Sequence, residues 1–207
     1  VRARRSRAAI VGIAPYRGPL YEALAETGGP SGAILARFGV GHDNVDKALA
    51  RRHGIIVTNT PGVLDASVAE HAMWLLGCLA KHVSRLDARL RAGQFAGTAG
   101  VELCGKRLGI VGFGAIGRRA AAIAHRGFSM RILAADTRPV GDLERQEQRS
   151  FSEIRAAYGL DLYTHDADEV LRLADAVSIH LPAVPATRHF VDARRLGVMR
   201  PGALLVN

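Results

Sequence analysis

Residues 105–125 read GKRLGIVGFGAIGRRAAAIAH, with glycines placed between two different patterns. The apolar run Leu108–Val111 predicts a buried strand, and the alanine-rich run that follows predicts a helix. Gly112 permits a tight turn, Gly114 lets the backbone approach a diphosphate, and Gly117 lets the helix pack closely on the strand. Because free N–H groups at a helix start attract phosphate, this stretch predicts a dinucleotide site. The residues expected to contact the cofactor are Gly112, Phe113, Gly114, Ala115, Ile116 and Gly117.

An acidic residue, Asp136, ends the next predicted strand, MRILAAD. A carboxylate at this place accepts hydrogen bonds from the adenosine ribose and repels a 2′-phosphate, which favours NAD over NADP. Arg138, two residues further on, could instead pair with that phosphate, so the choice between the two coenzymes stays open. The strand, the glycine turn, the helix and the carboxylate together predict a Rossmann lobe that binds NAD.

Short β-rich runs alternate with helix-length segments along the whole chain. This alternation is typical of βαβ units and a parallel sheet, so we expect an α/β fold. The predicted strands are Ala8–Val11, Ala33–Ala36, Ile55–Thr58, Leu108–Val111, Arg131–Ala135, Leu160–Tyr163, Ala176–His180 and Ala203–Val206. A glycine-rich stretch without clear periodicity surrounds residue 100, and there we place the boundary between two domains, 1–100 and 101–207.

The most regular helical pattern begins near Asp65 and continues to about Arg91. Ser67 and Glu70 have the spacing of a capping box. An apolar stripe at helical spacing follows, typical of a core or subunit contact; it consists of Leu75, Leu79, Val83, Leu86 and Leu90. By contrast, Pro139–Gln148 (PVGDLERQEQ) is polar and without pattern, which predicts a surface insertion.

The composition narrows the possible partners. The 207 residues include 28 Lys and Arg against 19 Asp and Glu, a net charge of +9, which attracts a phosphate-bearing cofactor or an acid substrate. The one dense basic run, Arg2, Arg4, Arg5 and Arg7, has no interleaved aromatic residues. We therefore expect a solvated face there and no nucleic-acid partner.

Two other classes of protein are disfavoured. Cys78 and Cys104 lie outside any CxxC or Cys/His cluster, so we expect neither a disulfide framework nor a metal site. The apolar run Ala72–Ala80 is far shorter than the ~20 residues of a membrane span. The N-terminal AAIVG segment is short and runs into Pro15 without a cleavage site, which favours a strand over a signal peptide. We therefore expect a cytoplasmic location.

Five stretches together resemble the signature segments of the D-isomer-specific 2-hydroxyacid dehydrogenases, in the order of that family. They are RFGVGHDNVD (37–46), TNTPGVLDASVAEHAMWLL (58–76), GKRLGIVGFGAIGR (105–118), SIHLPAVPATRHFVD (178–192) and LGVMRPGALLVN (196–207). The resemblance implies hydride transfer between NAD and a D-2-hydroxy acid or 2-keto acid. It also implies a partial flavodoxin-like substrate lobe beside the Rossmann lobe, an active site in the cleft between them, and a homodimer held by about Asp65–Gly100.

The resemblance assigns further site residues. Val40 and Gly41 would offer backbone N–H groups to the substrate carboxylate, with Arg37 as a charge partner. Such a loop can form an anion-binding nest, and a plain turn before the next helix is the alternative. Five residues would lie along the cofactor: His180, Leu181, Pro182, Thr187 and Asn207.

The catalytic arginine, glutamate and histidine of the family follow the LLVN segment. We therefore expect them after Asn207, expect a further βα unit before AAIVG, and expect this chain alone to be inactive. Two alternatives stay open: an NAD-binding sensor that resembles the C-terminal-binding corepressors, and a paralogue that binds NAD without turnover. The identity of the acid substrate stays open as well.

Overall fold

The computed structural model describes residues 6–28 and 32–207, which form two compact units. The first contains the described residues up to Leu64 together with Pro182–Arg188, and the second contains Asp65–Leu181 and His189–Asn207. The packing thus changes unit at Asp65, whereas the sequence predicts a boundary near residue 100. The assignment of residues 1–100 to a substrate domain stays a prediction, since packing does not tell what a domain binds. Arg2, Arg4 and Arg5, predicted to be solvated, lie outside the described residues.

The described part of the first unit is built on a parallel sheet in the order β1-β2-β3. Its strands are β1 (Ala8–Val11), β2 (Ala33–Arg37) and β3 (Ile55–Thr58), connected by the helices α1 (Gly18–Gly28) and α2 (Lys47–Arg52). Tyr21, Leu24 and Leu35 are completely buried between the helices and the sheet. The Tyr21 hydroxyl accepts a hydrogen bond of 2.9 Å from the backbone N of Asp46, which in turn caps α2.

The second unit contains a five-stranded parallel sheet in the order β6-β5-β4-β7-β8. Its strands are β4 (Arg107–Val111), β5 (Arg131–Ala135), β6 (Leu160–Thr164), β7 (Ala176–Ile179) and β8 (Leu204–Val206). Its helices are α3 (Asp65–Ala80), α4 (Val83–Arg91), α5 (Ala115–Phe128), α6 (Val140–Glu147), α7 (Phe151–Tyr158), α8 (Ala167–Leu173) and α9 (Ala193–Val198). The strand order reverses beside β4, and ligands of such sheets bind at the carboxyl ends of the strands at this point. The predicted parallel α/β fold is confirmed.

Apolar side chains cover both faces of this sheet. Ile110 of β4 packs with Leu76 of α3 on one face, and the next residue, Val111, packs with Val170 and Leu171 of α8 on the other. Strands buried on both faces are apolar without alternation. This burial explains why the strand runs are easy to recognise in the sequence.

The long helix predicted over Asp65–Arg91 is divided into α3 and α4. His82 has φ of 54°, in the left-handed region, and so interrupts the helical backbone between them. The prediction of one helix is wrong because it rests on an apolar stripe that lies at the surface: Leu79, Val83 and Leu90 are exposed. The core contacts of α3 come from other positions, including Met73 and Leu76.

The start of α3 also differs from the sequence prediction. The helix begins at Asp65, which is buried. Ser67 is therefore already inside the first turn, where it cannot act as the N-cap of the predicted capping box with Glu70.

The segment Pro139–Gln148 is helix α6 and not a patternless insertion. Leu143 is its one buried residue and is completely buried, while the other side chains of the helix are at least partly accessible. The prediction is wrong because a single buried position in eight residues leaves no periodicity to detect. Pro139 before a run of helix-forming residues is the sequence signal that indicates the start of this helix.

Candidate functional site

The carboxyl end of β4 continues into a sharp turn at Gly112. This glycine has φ of +92°, and a Cβ built on it would lie 2.5 Å from the backbone O of His180. Its N–H donates a 2.8 Å hydrogen bond to the carbonyl of Ala135 at the end of β5. The turn therefore lies between the ends of β5 and β7, where only glycine fits.

Helix α5 begins directly after this turn. Gly114 is its N-cap and has no side chain to satisfy the first N–H groups. A Cβ at Gly114 would meet no atom within 4 Å, whereas one at Gly117 would lie 2.2 Å from the carbonyl O of Gly112. The loop is thus closed on its inner side and open above the helix start, a shape that fits a diphosphate.

Asp136 lies at the end of β5 with its side chain only 10% exposed. Its Oδ2 accepts from the backbone N of Phe113 at 2.8 Å, and Oδ1 accepts from the backbone N of Arg138 at 2.9 Å. The guanidinium of Arg138 donates to both oxygens, through Nε at 3.0 Å and Nη2 at 2.9 Å. Burial raises the pKa of Asp136, but the Arg138 guanidinium and the two backbone N–H groups outweigh it and hold the pKa below its usual value.

A second arginine and helix α6 support this arrangement. Nη2 of Arg138 donates to the carbonyl O of Phe113 at 2.6 Å, and Nη1 donates to Gln146 Oε1 at 2.6 Å. The buried Arg118 donates to the same carbonyl at 3.1 Å and forms an ion pair of 2.8 Å with Glu147. Sequence reasoning missed Gln146 and Glu147 because it did not recognise α6.

His180 follows β7 beside the glycine turn. Its backbone N donates to the carbonyl of Val111 at 2.7 Å, and its ring Nε2 lies 2.9 Å from the hydroxyl of Ser178. Burial lowers the pKa of His180 to about 4, so the ring is neutral at physiological pH. A side chain of Leu181 lies 3.3 Å from the Cβ position of Gly112. His180 and Leu181 therefore lie at the predicted loop.

The remaining predicted cofactor residues belong to two different units. Pro182 and Thr187 belong to the first unit, where a Thr187 hydroxyl bond to the carbonyl of Pro182 closes a short 3₁₀ turn, Pro185–Thr187. Asn207 follows β8 and is exposed. Contact of these three residues with a cofactor stays a prediction.

In the first unit, Arg37 ends β2 beneath the loop Gly39–Gly41. The residue is 9% exposed, and its buried Nε has no hydrogen-bond partner among the described residues. Gly39 has φ of +138°, and a Cβ there would lie 2.5 Å from Nη1 of Arg37. The loop is held by hydrogen bonds from the backbone N of Gly39 to Thr60 Oγ1 at 3.1 Å and from Asn59 Nδ2 to the carbonyl of Val40 at 2.9 Å.

Over residues 6–28 and 32–207, no three His, Cys, Asp or Glu side chains are grouped so that they could hold a metal ion. Within the same ranges no helix is long and apolar enough to cross a membrane. Cys78 and Cys104 are free thiols.

Residues 73–207 match the family model described as "D-isomer specific 2-hydroxyacid dehydrogenase, NAD binding domain". The chain is 39% identical over 185 residues to glyoxylate reductase of Pyrococcus furiosus, a match that covers 84% of this chain and 50% of that protein. It is 37% identical to hydroxypyruvate reductase of Thermotoga maritima, over 84% of this chain and 52% of the relative. The chain thus spans about half the length of these relatives.

A solved structure gives the same result at the level of the fold. D-lactate dehydrogenase from Aquifex aeolicus, complexed with NAD and lactic acid, superposes with a TM-score of 0.76 at 25% identity. The superposition covers 99% of this chain and 56% of that one.

Proposed function

We propose a function from one premise: the chain belongs to the D-isomer specific 2-hydroxyacid dehydrogenase family and contains its NAD binding domain. The protein that carries this chain is an oxidoreductase that transfers a hydride between NAD and C2 of a D-2-hydroxy acid or 2-keto acid. The observation that carries the proposal is the turn from Gly112 to Gly117, which is tightly packed at Gly112 and Gly117 and open at Gly114, above the start of α5.

In this proposal the loop Gly112–Gly117 holds the diphosphate of NAD. The backbone N–H groups of the first turn of α5 donate to its oxygens, and Gly114 leaves room for it. Asp136 orients the adenosine ribose, and the bound nicotinamide supplies the hydride acceptor or donor. The residues Phe113, Ala115, Ile116, Arg138, Leu181, Pro182, Thr187 and Asn207 complete the proposed cofactor contacts.

His180 has a positioning role in this proposal. Its ring is neutral, because burial lowers its pKa to about 4, and it is bonded to Ser178. A general base operates best with a pKa near the working pH. We therefore assign the proton transfer to other residues, and a catalytic arginine, glutamate and histidine after Asn207 stay a prediction.

The acid substrate is proposed to bind at Arg37, Val40 and Gly41. The proposal is supported by the guanidinium of Arg37, which is buried with an unpaired Nε beside the loop. A buried charge without a partner lowers stability, and a carboxylate ligand would supply the missing negative charge and hydrogen-bond acceptor. The small substrates named for the relatives, glyoxylate and hydroxypyruvate, are acids of this class.

Titration calorimetry of the chain with NAD tests the cofactor proposal, and no binding at millimolar NAD would overturn it. Loss of NADH absorbance with glyoxylate or hydroxypyruvate tests the activity of the full-length protein. NAD binding without turnover of either acid would favour an NAD-responsive binding protein instead.

A homodimer is the proposed assembly. An apolar groove of about 1040 Å³ lies between α3 and α5, lined by residues that include Met73, Trp74, Ile123 and Phe128. Trp74 is 69% and Phe95 is 95% exposed, and exposed apolar surface of this kind marks interaction sites. Light scattering is expected to give twice the chain mass, and Trp74→Glu is expected to shift it to the monomer.

A cytoplasmic location is proposed too, since free thiols at Cys78 and Cys104 are typical of a reducing compartment. Fractionation of cells that express the tagged full-length protein tests it, and recovery outside the cytoplasm would contradict it.

A further inference from the structure

Three loops meet at the carboxyl end of the first sheet. The register of β1 and β2 pairs Val11 with Arg37, and Ile13 and Gly39 each lie two residues further along. On the other side of β2, the backbone N of Thr60 donates to the carbonyl of Gly39 at 3.1 Å. The loops after β1, β2 and β3 therefore border the same place, beside the buried guanidinium.

The loop after β1 is fixed by hydrogen bonds, although it presents an exposed apolar side chain. Asn44 Nδ2 donates to the carbonyls of Gly12 and Ala14, at 2.8 Å in both cases. The backbone N of Gly12 donates to the hydroxyl of Tyr16, also at 2.8 Å. Both neighbours of Ile13 are thus held, while Ile13 itself is 86% exposed. A loop fixed in this way can contact a ligand at little cost in conformational entropy.

The side chains around the buried guanidinium are mostly apolar and carry no charge on these three loops. Residues 12–14, 38–41 and 59–64 read GIA, FGVG and NTPGVL. Val63, in the third loop, is 71% exposed. Sites for small molecules are mostly apolar, with a few polar groups that fix the orientation of the ligand. Here Arg37 would be the polar group, and Ile13 and Val63 the apolar walls.

A ligand with a second negative charge finds no partner at these loops. The carboxylate of Asp43 lies 3.5 Å from the Cβ position of Gly41, so the charge beside the loop is itself negative. The Arg17 side chain lies with Asp43 and Asp46 around another cavity, of about 430 Å³. Arg37 would bind the carboxylate at C1, and the rest of the substrate is then required to be uncharged.

We infer that the acid substrate is a 2-oxo monocarboxylate with an apolar side chain, whose carboxylate binds at the loop Gly39–Gly41 and whose side chain contacts Ile13 and Val63. This assignment rests on the substrate site proposed above and names the class of acid that it takes. Glyoxylate and hydroxypyruvate, the acids named for the relatives, have a hydrogen and a hydroxymethyl group at this position. They would leave the apolar contacts unmade.

Steady-state reduction of pairs of acids of equal size, by the full-length protein with NADH, tests the inference. 2-Oxobutyrate has a methyl group where hydroxypyruvate has a hydroxyl group, and we expect its kcat/KM to be at least roughly ten-fold higher. 4-Methyl-2-oxopentanoate is similar in size to oxaloacetate, and we expect a preference of at least roughly a hundred-fold over this dianion, whose second charge is unpaired. An equal or reversed preference in either pair would overturn the inference.

Ile13→Thr removes part of the proposed apolar wall. The ratio of kcat/KM for 4-methyl-2-oxopentanoate to that for glyoxylate is expected to fall roughly ten-fold, because glyoxylate has no side chain to contact this residue. Ile10→Thr is the matched control, since Ile10 is 81% exposed but lies within β1 on the face opposite Val11. We expect it to leave the ratio unchanged. An unchanged ratio in Ile13→Thr would assign Ile13 to the fold and overturn the inference.

Ile13→Arg supplies the cation that the three loops lack. The ratio of kcat/KM for oxaloacetate to that for 4-methyl-2-oxopentanoate is expected to rise at least roughly ten-fold, since the second carboxylate gains a charge-assisted partner. The exposed position of Ile13 leaves room for the longer side chain. If Ile13→Arg is misfolded by circular dichroism, Val63→Arg provides the same test. An unchanged ratio in the folded variant would place the residue outside the substrate site.

A second readout does not depend on turnover. 4-Methylpentanoate has the same side chain but no 2-oxo group, so it binds without reacting. In methyl-labelled full-length protein, the Ile13 δ1-methyl NMR signal is expected to shift when this acid is added. The signals of three isoleucines that are exposed on the sheet itself are expected to stay in place; they are Ile10, Ile34 and Ile56. An unshifted Ile13 signal at saturation would contradict the contact.

The outcomes separate this inference from the proposed function. If the full-length protein reduces none of these acids with NADH, the proposed function itself fails. If it reduces hydroxypyruvate or oxaloacetate in preference to the apolar acid of equal size, only the inference on the side chain of the substrate fails.

Discussion

The loop Gly112–Gly117 of the second unit and the loop Gly39–Gly41 of the first both follow the central strand of a parallel sheet, but their charges are treated differently. At the loop Gly112–Gly117, Arg118 is paired with Glu147 and Arg138 with Asp136. At the loop Gly39–Gly41, the buried Nε of Arg37 has no hydrogen-bond partner among the described residues. A glycine loop alone therefore does not define a binding site, because the charged side chains around it determine which charge the ligand must have.

The comparison also separates two uses of glycine. Gly117 is required by the fold, since a Cβ there would collide with the carbonyl of Gly112, whereas Gly114 borders open space. At the other loop, Gly39 lies against the Arg37 guanidinium and Gly41 has ordinary room for a methyl group. In each loop one glycine is required by close packing, Gly117 or Gly39, and another, Gly114 or Gly41, has room for a methyl group.

The largest expected effect is that of Gly117→Ala. The added methyl group would lie 2.2 Å from a backbone oxygen, so the free energy of unfolding is expected to fall by about 3 kcal/mol. Gly114→Ala is the control, with a change in unfolding free energy of at most about 0.5 kcal/mol but a loss of NAD affinity. Urea denaturation and calorimetry measure the two quantities, and equal destabilisation by both variants would contradict the distinction between packing and space.

Replacing the two buried arginines by methionine tests the charge comparison directly. Arg118→Met removes the ion pair of Glu147 and one of the two arginine donors to the Phe113 carbonyl, so stability is expected to fall by about 2 kcal/mol. Arg37→Met removes an unsatisfied buried group, and stability is expected to rise by about 1 kcal/mol while the acid substrate binds more weakly. If Arg37→Met destabilises the chain as Arg118→Met does, Arg37 is a structural residue and not a ligand for an acid.

A smaller effect, confined to acidic pH, is expected at His180 beside the first loop. Its pKa of about 4 in the folded chain is below the ordinary value of 6.5, because of burial. The unfolded chain therefore binds the proton more readily. The contribution of the neutral His180 ring to the free energy of unfolding is complete above pH 6.5 and is lost as the pH falls toward 4. The free energy of unfolding, measured by denaturation at several pH values, is expected to depend less on pH between 4 and 6.5 for His180→Gln than for wild type. An equal pH dependence of the two proteins would show that the imidazole is solvated.

The smallest change in stability is expected for Gly41→Ala. Its methyl group would lie 3.5 Å from the Asp43 carboxylate, an ordinary contact, so the unfolding free energy is expected to change by less than about 0.5 kcal/mol. In the full-length protein the KM for the acid is expected to rise while the affinity for NAD is unchanged. An unaltered KM would remove this loop from the proposed substrate site.

The second sheet was predictable from the sequence because its central strands β4, β5 and β7 are buried along almost their whole length. Arg131–Ala135 has the predicted bounds, and β4 begins one residue earlier than predicted. The turn at Gly112 and the place of Asp136 at the end of β5 were predictable as well, because steric limits on glycine and the strand order determine them. Local pattern and long-range packing agree in this region.

The parts that could not be predicted depend on tertiary contacts. Helix α6 presents only Leu143 to the core, so no period identifies it, and the partners of Arg138 and Arg118 on that helix were hidden with it. The interruption of the long helix at His82 has no composition signal, because the apolar stripe continues across it. An apolar stripe predicts a buried face, but it does not tell whether the covering partner belongs to the same chain.

The groove between α3 and α5 has one practical consequence. Trp74 is the single tryptophan of the sequence, and it lies at this groove largely in contact with water. Indole fluorescence moves to shorter wavelength when water is excluded, so the emission of the unlabelled protein reports directly on whether this surface is covered. The chain thus carries its own optical probe of assembly, at a position distant in sequence from the glycine turn.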